Sequence, residues 1–129
     1  MAESIQHSVV YKAKAKRLYD ILLDSKEFAA FTGGREANIE PTPGGAFSMF
    51  GGHITGRNVE LVPSKRIVQA WRSKTWPEGA YSIVRFDLVE DGAATTLALT
   101  HNGYPEDQGP HLANGWRAQY FDPLRAYLA

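Results

Sequence analysis

At every second position from Ser82 to Leu88 the chain places a residue suited to an interior, namely Ser82, Val84, Phe86 and Leu88, while Arg85 and Asp87 occupy the positions between. Successive side chains of a strand point to opposite faces, so this is a strand with one buried and one wetted side. Thr95, Leu97, Leu99 and His101 repeat the pattern after the turn "EDGAA". Upstream, Phe47, Met49, Ile54 and Asn58 share one side of an expected hairpin, and Ile67, Gln69 and Trp71 share a face of the next strand. A sheet with so much apolar surface on one side needs a cover. Leu112, Trp116, Tyr120 and Leu124, followed by Tyr127 and Leu128, recur every three to four residues and form the one long amphipathic helix available. The expected class is α+β, with a sheet of about six antiparallel strands curling around a carboxy-terminal helix and leaving a cavity between them.

The remaining segments fit around this frame. Residues 5–11 read as a first strand, with Ile5, His7, Val9 and Tyr11 on its heavier side. Leu18, Ile21 and Leu22 fall at helical spacing, and Asp24 with Glu27 forms a capping-box pattern opening a second, short helix through Phe28 and Phe31. Lys12, Lys14, Lys16 and Arg17 crowd the start of the first helix, where cations oppose the helix dipole. "TGGREANIEPTPGG" reads as loop around a short edge strand at residues 37–40. Gly51-Gly52 suits a two-residue hairpin turn, which would set Phe50 against His53, Met49 against Ile54 and Phe47 against Gly56. Pro123 lies inside the last helix, where its ring meets the carbonyl of Gln119, so a bend or interruption is expected there.

The length of 129 residues suits one domain, residues 1–129. Fourteen basic residues offset fourteen acidic ones, which removes the net positive field that nucleic acid or an anionic membrane would attract. Neither is expected as a partner. Without cysteine there are no disulfides, thiol nucleophiles or thiolate metal sites. No apolar run reaches the roughly 20 residues that span a bilayer, and "MAESIQHS" lacks the apolar stretch of a secretory signal. The expected location is the cytoplasm.

Several stretches carry a family resemblance: "FTGG" from Phe31, "GGAFSMFGGHITG" from Gly44, "LVPSKRIVQAWRSKTWPEG" from Leu61, "TTLALTHNGYP" from Thr95 and "GWRAQYFDPLRAYL" from Gly115. The order of elements resembles the helix-grip fold of the START-like (SRPBCC) superfamily. The residues are similar to the activator of heat-shock-protein-90 ATPase homologue family, specifically its carboxy-terminal-type domain. The resemblance implies a stress-response role beside a heat-shock protein 90-type chaperone. It also implies that co-chaperone members add a separate amino-terminal domain gripping the chaperone's middle segment, which is not read in this chain. The wider superfamily implies binding of sterols, lipids, polyketides or hormones beneath the long helix.

Among candidate groups, His7, His53, His101 and His111 lack the close spacing of metal ligands, so no metal or other cofactor is expected. His7 and His101 fall on inward faces of strands expected to be neighbours, either as a coupled pair or as separate structural histidines. Asn58 and Gln69 point amides inward, where each needs a protein partner, water or a ligand. Trp71, Trp116 and Tyr120 serve as core or as cavity lining; Trp76 either pins its loop or stays exposed to a partner. No Gly-x-Ser-x-Gly elbow or phosphate-cradling loop is present, and Glu60, Glu90, Asp91, Glu106 and Asp107 read as solvated charges near turns.

Three roles follow. The first is a non-enzymatic module enclosing a small, mostly apolar molecule, with Phe47, Met49, Ile54, Trp71, Phe86, Leu99, Trp116 and Tyr120 as walls and Asn58, Gln69 and His101 orienting it. The second is contact with a chaperone through the surface around Trp76 and Lys65-Arg66. The third is a cyclase or hydrolase using His101 as general acid or base.

Overall fold

The alternating segments pair into a seven-stranded antiparallel sheet of order β1-β7-β6-β5-β4-β3-β2. The strands are β1 (Ser4–Tyr11), β2 (Asn38–Ile39), β3 (Ala46–Met49), β4 (Ile54–Val62), β5 (Arg66–Ser73), β6 (Ser82–Asp91) and β7 (Ala94–Asn102). The computed structural model describes residues 4–129; residues 1–3, part of the stretch read above as lacking a secretory signal, lie outside the described residues. The sheet and the carboxy-terminal helix packed on it form the α+β helix-grip architecture expected from the sequence. The inward faces are as expected too, with Ser82, Val84, Phe86 and Leu88 on β6 and Thr95, Leu97, Leu99 and His101 on β7 all buried.

The β3–β4 register places Met49 opposite Ile54 and Phe47 opposite Gly56. The turn itself differs from the expectation. It is a 3₁₀ turn over Phe50–Gly52, with φ of 55° at Phe50, 66° at Gly51 and 94° at Gly52, so Phe50 leaves the ladder and accepts the His53 amide at 3.3 Å. Two glycines take the left-handed region at little cost; Phe50 takes it under strain. A glycine opposite Phe47 could leave a gap on the inner face of the sheet. Instead the space is filled, because a Cβ on Gly56 would lie 1.8 Å from the Ala70 oxygen and 2.7 Å from the Phe47 ring.

Two helices connect β1 to β2: α1 (Ala15–Leu23) and α2 (Ser25–Phe31). The cationic start of α1 is answered from across the fold. Glu90 on β6, read from sequence as a solvated charge, accepts the Ala15 amide at 2.8 Å and lies 3.7 Å from Lys14 Nζ, supplying the negative charge that a helix amino terminus favours. At α2 the Asp24 carboxylate caps the Glu27 amide at 2.9 Å, while the Glu27 side chain turns away to Arg17 and the Tyr127 hydroxyl.

The carboxy-terminal helix has three parts: α3 (Gly109–Gly115), a π-helical turn (Trp116–Phe121) and α4 (Asp122–Leu128). The interruption expected from Pro123 therefore takes the form of a widened turn, in which the Asp122 amide reaches the Arg117 carbonyl. Proline has no amide to give the carbonyl four residues back, and a wide turn just ahead of it relieves the clash without breaking the rod. Leu112, Trp116, Tyr120, Phe121 and Leu124 are buried against the sheet. The Tyr11 hydroxyl donates to the Phe121 carbonyl at 3.0 Å, tying β1 to this turn.

Candidate functional site

Hairpins in an antiparallel sheet place their turns at alternate ends. The β3–β4 turn, the β5–β6 loop and the exit of β7 toward the last helix consequently share one end of the sheet. There the loops and the first half of the helix stand apart, leaving an open groove of about 400 Å³. Its floor is aromatic: Trp71, Trp76, Trp116 and Tyr120, with Ile54, Phe50 and Leu112 beside them. Its rim carries Arg35, His53, Ser73, Thr75, Gln108, His111, Asn114 and Gln119. The widened turn contributes Trp116, Ala118, Gln119 and Tyr120 to one concave wall.

Each wall is held by named contacts. Arg72 donates to the carbonyls of Trp76 at 3.0 Å, Pro77 at 3.2 Å and Ala80 at 3.4 Å, folding the β5–β6 loop back so that Trp76 packs at 5.8 Å from Trp71. Trp76 is thus buried and pins its loop. Trp71 stacks on Trp116 at 5.7 Å, and Trp116 meets Tyr120 at 4.4 Å. Arg35 lies over the Phe50 ring at 4.8 Å and donates to Gln119 Oε1 at 3.0 Å, bridging the α2–β2 loop to the helix. His53 Nε2 is 3.2 Å from Ser73 Oγ. The indole N–H groups of Trp71 and Trp76 have no hydrogen-bond partner of ordinary geometry among the described residues.

Of the residues singled out from sequence, Ile54, Trp71, Trp116 and Tyr120 border this groove. Phe47, Met49, Phe86 and Leu99 are buried behind it, where Phe86 meets Trp116 at 5.7 Å and Met49 Sδ accepts the Tyr120 hydroxyl at 3.8 Å. Burial drives the Tyr120 phenol well above its ordinary range, an effect that the nearby Trp71 N–H opposes weakly. Asn58 and Gln69 face inward as expected but use their amides on the fold: Asn58 donates to the Glu40 carbonyl at 2.8 Å and accepts from Gln69 at 3.1 Å. Gln69 Oε1 is buried without a partner among the described residues.

His101 is sealed in. Trp116 Nε1–H is a donor only, so its 3.0 Å contact fixes the lone pair on His101 Nδ1 and the proton on Nε2, which donates to Ser82 Oγ at 2.7 Å. Ser82 in turn donates to the Trp71 carbonyl at 2.9 Å. From the Trp116 indole to the Trp71 carbonyl every side-chain polar atom has a partner, and burial lowers the His101 pKa to about 4. The ring is neutral at pH 7 and does not border the groove, so this geometry gives no support to the acid–base role considered from sequence. His7 does not couple to it: His7 faces Leu99 across the ladder and approaches the Ala113 carbonyl at 3.3 Å.

Residues 12–129 match the profile of the Activator of Hsp90 ATPase homolog 1-like protein family. The chain belongs to this family. It is 31% identical over 110 residues to the human activator of 90 kDa heat shock protein ATPase homolog 1, a match covering 85% of this chain and 32% of the human protein. The chain thus spans about a third of the curated relatives it matches. A crystal structure described as an HSP90 activator from Plasmodium falciparum superposes with a TM-score of 0.91 at 26% identity, covering 97% of this chain and 95% of that one. The Aha1 dimer from Colwellia psychrerythraea, at 19% identity and a TM-score of 0.81 over 98% and 96% of the two chains, shares the fold.

For this Hsp90-activator family member, the chaperone-facing surface read from sequence is corrected by the strand it rests on. Lys65 precedes β5 and Arg66 opens it, Trp76 lies beyond the strand's other end, and Arg66 is occupied by Asp87 at 2.9 Å and Glu60 at 3.5 Å. The sequence reading also passed over Arg35, Phe50, Thr75, Gln108 and Gln119 at the groove, and considered His53 and His111 only as metal ligands. The alternation of hairpin ends was the signal that would have grouped the β3–β4 turn, the "WPEG" loop and the start of the helix. Among the described residues no helix is long and apolar enough to cross a membrane.

Proposed function

We propose that the chain is a co-chaperone module that engages a heat-shock protein 90-type chaperone and modulates its ATPase in the cytoplasm. The observation that carries this reading is the match, over nearly the whole of both chains, to the P. falciparum structure described as an HSP90 activator. Titrating the protein into the chaperone of its own organism, with calorimetry for binding and phosphate release for turnover, is expected to show a complex and altered turnover. No heat of binding together with unaltered turnover at saturating protein would overturn the reading.

A second reading is supported by the groove itself. It holds a small, mostly apolar molecule, because about 400 Å³ falls within the usual size of ligand sites and an aromatic floor with a polar rim is their usual lining. Ile54, Trp71, Trp116 and Tyr120 are its proposed contacts. Phe47, Met49, Asn58, Gln69, Phe86, Leu99 and His101 support those walls from behind. Native mass spectrometry of the protein from its own cells is expected to show an added mass that Ala118→Trp, which fills the groove, removes. Wild-type protein carrying no added mass, and giving no binding signal with a panel of apolar probes, would sink this reading.

A further inference from the structure

The groove is bordered by basic side chains. Arg35, His53 and His111 line it, Lys74 follows Ser73 at its rim with its amide on the His53 carbonyl at 2.9 Å, and among the described residues no aspartate or glutamate borders it. This is a local departure, since the chain as a whole has fourteen acidic and fourteen basic residues. Among the described residues neither Arg35 nor Lys74 forms an ion pair: the six present involve Lys14, Lys16, Arg17, Arg66 and Arg85. Arg35 is held only by the neutral Gln119 oxygen and the Phe50 ring. Its guanidinium is aligned but its charge is unanswered.

We propose that the groove binds an amphipathic organic anion, an aromatic or branched hydrocarbon body ending in a carboxylate, with the body on Trp71, Trp76 and Trp116 and the carboxylate at Arg35 and His53. This rests on the small-molecule reading above and names the chemical class of its ligand. A planar guanidinium matches a carboxylate in a way that no other rim group does. A neutral apolar guest would leave the cluster of cations facing an oily surface, whereas a carboxylate relieves their mutual repulsion. The same repulsion is felt at His53, whose imidazole is held below its ordinary pKa by burial and then by the charges of Lys74, Arg35 and His111. An anion seated there favours the imidazolium, so binding takes up a proton and strengthens as pH falls toward the ordinary histidine range.

All three tryptophans of the chain line the groove, so tryptophan fluorescence, excited selectively over the six tyrosines, reports on it. The test titrates 2-naphthylacetate and its neutral counterpart 2-naphthylacetamide into the wild-type protein, Arg35→Gln and His53→Gln, with indole N–H resonances as a second readout. The acid is expected to bind at least about tenfold more tightly than the amide, a preference that salt weakens and that Arg35→Gln abolishes while amide binding persists. Equal affinity for acid and amide would overturn the anion assignment and leave the small-molecule reading standing. Binding of neither compound, with unmoved indole resonances at millimolar probe, would overturn both. An acid preference that Arg35→Gln and His53→Gln leave intact would place the carboxylate elsewhere and overturn the assignment.

Discussion

His101 on β7 and His53 in the turn before β4 both have pKa values lowered first of all by burial, yet their surroundings are opposite. Around His101, the chain from Trp116 through the imidazole to Ser82 and the Trp71 carbonyl closes every donor on an acceptor. Around His53, the positive charges of Lys74 and Arg35 lie beside an open groove, and among the described residues Ser73 is the side chain that meets the ring. The first region is solved internally. The second leaves the charges of Arg35 and Lys74 without an ion pair among the described residues. A pKa lowered by burial is therefore by itself a poor guide to function; what separates the two is whether the polar groups around the ring are answered within the fold.

The comparison breaks most readily on its sealed side. Gly56→Ala should destabilise the protein by about 3 kcal/mol, read from denaturant midpoints, since the added methyl has no room between Phe47 and the Ala70 carbonyl. A neutral result would mean that this side retains slack, and the contrast with the groove would fail.

The next effect is in pH. A base whose pKa falls from an ordinary 6.5 to about 4 on folding binds its proton more readily when unfolded. Its contribution to stability is thus complete above pH 6.5 and is lost as pH falls toward 4. Wild type should lose roughly 2 kcal/mol more than His101→Gln across that window. Parallel stability–pH curves for the two proteins would show that His101 is open to protons in the fold.

The smallest effect sharpens the open side. Arg35→Gln should change stability by less than about 0.5 kcal/mol, as an exposed rim residue does, while raising the His53 pKa in an NMR titration by removing a neighbouring positive charge. A His53 titration unmoved by this change would uncouple the rim.

Legibility from sequence follows the same division. The strands, their inward faces, the β3–β4 register and the covering helix were readable because each rests on a local period of two or about 3.6. What escaped depends on long-range geometry. Asn58 meets Gln69 only because the β4–β5 register shifts between Asn58 and Glu60, leaving Val59 as an extra residue; continuing the pairing of Val62 with Arg66 would have set Asn58 opposite Ala70. A bulge of this kind has no glycine or proline to announce it. The Glu90 cap on α1 joins residues 75 apart in sequence, and nothing near either end points to the other. Arg35 sits in a loop that reads as breaker-rich connection, and its place above Phe50 needs the strained turn at Phe50–Gly52.

The widened turn at Trp116–Phe121 makes the last helix two rotors on one axle with a spare tooth between them. Winding the same residues as uniform α-helix, as Pro123→Ala would permit, would spin everything upstream by about 100°. Leu124 and Tyr127 would stay seated beside α2 while Trp116 swung off His101, so the surplus residue is what lets one half of the helix act as an anchor and the other as a wall.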